Sequence, residues 1–147
     1  MYKHLLVPID GSELSLRAIE HSVALARELG ARITGFVAEA PPPIPNETTP
    51  VQIHAENVEH HHQHAHQHAH GVLAKLEAAA FAAGVPFSGH FNIAGNVDHA
   101  IVEAALKCGC DLIVMVTQSH SALGDMLFGS HTKHVMSMSK IPMLVLH

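Results

Sequence analysis

Two spacings of apolar residues alternate along this chain. Uninterrupted apolar runs of five or six residues are separated by longer stretches in which apolar positions return every three or four residues. The first run, His4 to Ile9, ends at Asp10-Gly11-Ser12. A run without polar interruptions predicts a strand buried on both faces, as in a parallel sheet. Leu14, Ala18, Ile19, Ser22, Val23, Leu25, Ala26 and Leu29 then line one side of a helix, with Arg17, Glu20, Arg27 and Glu28 on the other. Ser12 is the expected N-cap and Gly30 the C-cap.

Ile33 to Ala38 is a second strand, followed by Pro41-Pro42-Pro43-Ile44-Pro45, which neither a helix interior nor a central strand accepts. Helical spacing runs from near Val51 to Ala83, closed by Gly84. Phe87 to Ile93 is a third strand, Gly95 to Lys107 a third helix and Asp111 to Val116 a fourth strand. A loop from Thr117 to Phe128 leads to a helix from about Gly129, and Pro142 to Leu146 makes a fifth strand. Strict alternation of strand and helix predicts an α/β fold: an open, five-stranded, mostly parallel sheet with helices on both faces. Ligands of such sheets bind beyond the carboxyl ends of the strands, where the strand order reverses. That directs attention to Asp10-Gly11-Ser12, Val37-Ala38-Glu39 and the stretch from Val116 to Ser130.

Composition narrows the class. With 147 residues, 48% apolar and 14% charged, the chain suits one compact domain over residues 1–147, with an unusual Pro-rich loop and His-rich segment at about 41–70. A net charge of −5 gives no electrostatic footprint for nucleic acid or anionic lipid, although 16 histidines make that charge strongly pH-dependent. No apolar run is long enough to span a bilayer and no signal peptide is evident, so a cytoplasmic location is expected. Cys108 and Cys110, one residue apart, suit neither a disulfide nor a CxxC redox pair.

The histidine tract has chemistry of its own. On a helix, His60, His64 and His68 form one ladder and His62, His66 and His70 another, and two imidazoles four residues apart can chelate zinc, nickel or copper. Stepping back from Val72, Leu73 and Leu76 carries the buried face through Ala69, Ala65, His62 and Val58. His131 and His134, three apart, face roughly one way on the last helix, and His120 falls in the preceding loop.

LLVPIDGSELSLRAIEHSVALA, GNVDHAIVEAALKCGCDLIVM and LFGSHTKHVMSMSKIPMLVLH resemble the opening, the third helix with the fourth strand, and the C-terminal end of universal stress proteins. The resemblance covers nearly the whole chain apart from residues 41 to 70. It implies a Rossmann-like fold of the adenine nucleotide alpha hydrolase-like type, and a homodimer pairing through the last strand, Met143, Leu144, Val145 and Leu146. ATP-binding relatives carry a glycine after the fourth strand, a second glycine three residues on, and Gly-Ser or Gly-Thr after nine more. Here those positions are Val116, Ser119, Gly129 and Ser130, so the first two glycines are replaced and the last pair is kept. Asp10 matches the family's nucleoside-contacting acid and Val37 the position whose backbone meets the base. The resemblance therefore implies a non-enzymatic stress-response binding module with a degraded ATP or AMP site. Two alternatives stay open: an adenine-nucleotide switch with weak or no hydrolysis, and a zinc- or nickel-binding stress protein acting through the histidine helix.

Overall fold

The computed structural model of the chain describes residues 1–117 and 130–147. Its elements run β1 (His4–Pro8), α1 (Glu13–Leu29), β2 (Arg32–Glu39), α2 (Val51–Ala82), β3 (Phe87–Ile93), α3 (Val97–Lys107), β4 (Leu112–Val116), α4 (Ser130–Met138) and β5 (Met143–Leu146). All five strands are parallel, in the order β3-β2-β1-β4-β5. The chain builds outward from β1 in one direction, then returns to build in the other, so the order reverses between β1 and β4. The loop expected from Thr117 to Phe128 lies, Thr117 apart, outside the described residues, as do Ser119, His120 and Gly129.

Side-chain alternation splits the interior into two layers. Leu5, Val7, Ile9, Ile33, Val37, Leu112 and Val114 face α1 and α2. Leu6, Phe36, Ile113 and Met115 face α3 and α4. Both faces of the central strands are therefore apolar, which is why their sequences show no polar alternation.

Helix α2 seats unusually close to the sheet. Gly35 and Gly89 are register partners on β2 and β3, and Leu73 and Leu76 of α2 lie against the flat surface they leave. A Cβ on Gly35 would stand 2.9 Å from Leu76 Cδ2 and 3.1 Å from Leu73 Cδ2. Only the C-terminal part of α2, from Ala65 onward, has buried positions. The buried stripe continues back through half-buried His61, whose Nε2 bonds the Ala40 carbonyl at 2.7 Å, while His62 is exposed. This corrects the expected path through His62: from Ala65, the four-residue step to 61 follows the face that the sheet presents.

Two boundaries also move, and one cap differs from expectation. Asn96, not Gly95, opens α3, because its side-chain oxygen accepts from the His99 amide at 2.9 Å. Ser12 occupies the N-cap position of α1, but its hydroxyl makes no capping bond. Asp111 precedes β4 and accepts instead from the backbone amides of Lys3 and His4. Burial would raise its pKa, but those amides hold the carboxyl below the usual range. Both cysteines are free thiols; burial first, then neighbouring Cys108, pushes Cys110 up to about 12. No helix among the described residues is long and apolar enough to cross a membrane.

A polar chain crosses three strands inside the α3–α4 face. Arg32 donates to His4 Nδ1 at 3.2 Å, His4 Nε2 lies 2.7 Å from Thr34 Oγ1, and Thr34 lies 3.1 Å from Ser88 Oγ. A guanidinium can only donate, so His4 is neutral with its proton on Nε2. Burial, then the Arg32 charge, lowers the His4 pKa. The unfolded chain thus takes up this proton more readily, and the contribution of His4 to stability is complete above the ordinary histidine pKa and declines as pH falls below it. Between about pH 7.5 and 5.5, the stability should fall more steeply for the native chain than for His4→Gln, by at most about 1.4 kcal/mol per pH unit, and melting temperatures should follow. Parallel melting curves for the two proteins would refute this assignment.

Candidate functional site

The chain leaves β1 through Ile9, whose amide still bonds the Phe36 carbonyl at 2.9 Å, and turns at Asp10-Gly11. Gly11 has φ +86°, and a Cβ there would lie 3.0 Å from Val72 Cγ2. Glycine is thus required both by the left-handed turn and by the approach of α2. His68, from the histidine tract, is alongside: its Nδ1 bonds Glu39 Oε1 at the end of β2.

Asp10 organises the turn with one oxygen. Its Oδ1 accepts from the Ser12 amide at 2.9 Å and from Ser15 Oγ at 2.8 Å, while the Ser15 hydroxyl also accepts from the Asp10 amide at 2.8 Å. Burial acts to raise the Asp10 pKa, but the bonds from Ser12 and Ser15 outweigh it and hold the carboxyl below its usual range. At neutral pH this group is an anion. Its Oδ2 makes no hydrogen bond among the described residues.

Beyond the carboxyl ends of β1 and β4 lies a cavity of about 370 Å³. Phe36, Ala38, Ile101 and Met115 give it apolar walls, and Asp10, Ser12, Thr117, Ser130 and His131 add polar groups to the lining. Such a mostly apolar hollow with a few convergent polar groups is the usual form of a small-molecule site. Ser130 belongs to α4, and its hydroxyl is a further polar group on the lining. Thr117 is 4% exposed, and its hydroxyl has no hydrogen-bond partner among the described residues. A buried hydroxyl left in that state calls for a ligand or water.

Of the residues singled out in the sequence, Asp10, Ser12, Ala38, Val116, Ser130 and His131 meet at this cavity. Val116 is paired with Leu146 of β5, in strand conformation. Among the described residues only glycines have positive φ, so valine at 116 is unstrained and acts on the site through its side-chain bulk alone. Val37 is fully buried in the α1–α2 face, and its neighbours Phe36 and Ala38 are the ones that line the cavity.

No histidine of the tract lines the cavity, although His68 approaches the Gly11 turn. His60 stacks on His64 and His66 on His70, with ring centroids 6.4 and 5.9 Å apart, while His66 also meets the edge of Phe91 at 5.1 Å. His62 is exposed and His68 is engaged with Glu39. Among the described residues no group of three or more His, Cys, Asp or Glu side chains is arranged to hold a metal ion.

Thr117 falls in the stretch the sequence singled out, but two residues that support the site escaped that reading: Ser15 and Asp98. Asp98, in the first turn of α3, is 8% exposed and accepts from two residues of α4, His131 Nδ1 at 2.6 Å and His134 Nδ1 at 3.0 Å. An ionised carboxylate only accepts, which places a proton on Nδ1 of both rings. The pattern had shown the two histidines sharing a face but not what they share it with.

The sequence profile of the universal stress protein family matches residues 1–147. A universal stress protein of Methanocaldococcus jannaschii is 30% identical over 148 residues, covering 99% of this chain and 82% of the relative. A universal stress protein solved in complex with cAMP superposes with a TM-score of 0.68 at 24% identity, covering 99% of this chain and 97% of that one. Another, from Archaeoglobus fulgidus in complex with dAMP, gives 0.63 at 18% identity over 99% and 98%. These two structures share the five-stranded α/β architecture. With three sequence blocks, the sheet order and a family match from end to end in agreement, the chain belongs to the universal stress protein family.

Proposed function

We propose that this chain is a non-enzymatic stress-response protein that binds an adenine mononucleotide in the cavity between β1 and β4. The observation that carries this reading is the disposition of the cavity's polar groups. Asp10, an acceptor for ribose hydroxyls, and the donors Thr117 and Ser130 line it together with apolar side chains suited to a base. The volume of about 370 Å³ is near the small end of the roughly 300–1,000 Å³ range of such sites, which favours one phosphate over three. The substitutions at Val116 and Ser119 point the same way, since both replace glycines that bring backbone amides close to a polyphosphate in ATP-binding relatives. That the neighbouring structures hold cAMP and dAMP supports the choice of ligand class.

Binding to the native state stabilises by RT ln(1 + [L]/Kd), about 2.7 kcal/mol when ligand stands at 100 times Kd. Millimolar AMP should therefore raise the melting temperature of the purified chain by several degrees, and ATP with magnesium should raise it no further. An unshifted melt with AMP, cAMP and ATP alike would sink the nucleotide reading. A larger shift with ATP would transfer it to the switch alternative.

A further inference from the structure

We propose that His131, positioned by Asp98, is the phosphate-recognition cation of this cavity, so that nucleotide affinity follows the protonation of its ring. The inference rests on the adenine-nucleotide reading above and assigns the anion end of the same site. Three observations converge. His131 lines the cavity beside Ser130 and Thr117, whose buried hydroxyl lacks a partner among the described residues. Its Nδ1 is committed to a carboxylate that is itself buried, so the ring is oriented from behind rather than free to rotate. Nε2, which has no bond among the described residues, is then the nitrogen available to a ligand.

The tautomer decides what Nε2 can do. With Nδ1–H donated to Asp98, Nε2 of a neutral ring is a bare acceptor that repels a phosphate oxygen. Once the ring is protonated, Nε2–H becomes a charge-assisted donor to the same oxygen. Among the described residues, Asp98 of α3 bonds both His131 and His134 of α4, and Asp10 shares the cavity lining with His131. Binding the second histidine to Asp98 Oδ2 also fixes the carboxylate, leaving Oδ1 for His131. The grip a histidine gives is pH-dependent, as that of a backbone amide would not be.

The test compares adenosine with AMP, because the ratio of their dissociation constants isolates the phosphate. In the native chain that ratio should be about tenfold larger near pH 6 than near pH 8. AMP itself loses negative charge on acidification, with a second phosphate pKa of about 6, so the ligand works against this trend. In His131→Gln the rise should vanish. In Asp98→Asn, which keeps the shape but weakens the anchor, the acid-side ratio should fall several-fold. Adenosine binding with a phosphate increment that is the same in the native chain and His131→Gln at both pH values would overturn the inference and leave the nucleotide reading standing. Binding of neither adenosine nor AMP would end both.

Discussion

Leu76→Ala should lower the stability of the chain by about 2–5 kcal/mol, toward the upper part of that range, and the melting temperature by roughly 4–20 °C. Leu76 is fully buried, and its partner surface is the glycine backbone of β2. Cavity costs are highest where the surroundings cannot collapse, and a hydrogen-bonded strand with no side chain at Gly35 has little to offer the void. The same geometry supplies an internal control. Gly35→Ala alone should destabilise by about 1–3 kcal/mol, because its new Cβ is 2.9 Å from Leu76 Cδ2 and 3.0 Å from Phe87 Cε2. Combined with Leu76→Ala, that methyl enters the space the leucine vacated. The double variant should therefore be more stable than the sum of the singles predicts, by about 0.5–3 kcal/mol. Denaturant unfolding of the four proteins measures this directly. Additive losses would mean that α2 does not rest on the Gly35–Gly89 surface as described.

That surface marks a limit of sequence reading. Val7, Ile33 and Ile113 announced their strands because each lies in an apolar run, and the layer they belong to follows from alternation once the order is known. Gly35 and Gly89 announce nothing by themselves: their significance is that they are register partners 54 positions apart, and pairing is a property of the fold. The site divides in the same way. Asp10, Val116 and Ser130 stand where strand ends and helix starts must stand, so the alternation of elements already brought them together. Asp98 reads as one more acidic residue in a helix's first turn, and only the packing of α3 on α4 delivers it to His131 and His134. His62 shows the opposite failure. A four-residue step and a three-residue step both follow a helix face, and the pattern could not choose between His61 and His62 until the sheet did.

Asp10 offers the sharpest separation of structure from binding. Its two carboxylate oxygens have different duties: Oδ1 holds the Ser12 amide and the Ser15 hydroxyl, and Oδ2 is the one available to a ligand. Asp10→Asn can keep its amide oxygen in the Oδ1 position, because the donors there fix the orientation of the group, and this puts an NH2 where the free oxygen was. An acceptor for ribose hydroxyls is lost while the turn remains. The expected result is a stability change within about 0.5 kcal/mol, together with a roughly 10- to 150-fold loss of AMP affinity, the worth of a hydrogen bond to a charged group. Asp10→Ala removes both functions. It should cost about 0.5–2 kcal/mol of stability, comparable to losing a helix cap, and should bind AMP no better than the asparagine variant. Titration calorimetry with AMP beside thermal melting reads both effects in the same samples. If Asp10→Asn bound AMP as well as the native chain, Asp10 would be a turn-former only, and the ligand's contact with the end of β1 would have to be made by backbone alone.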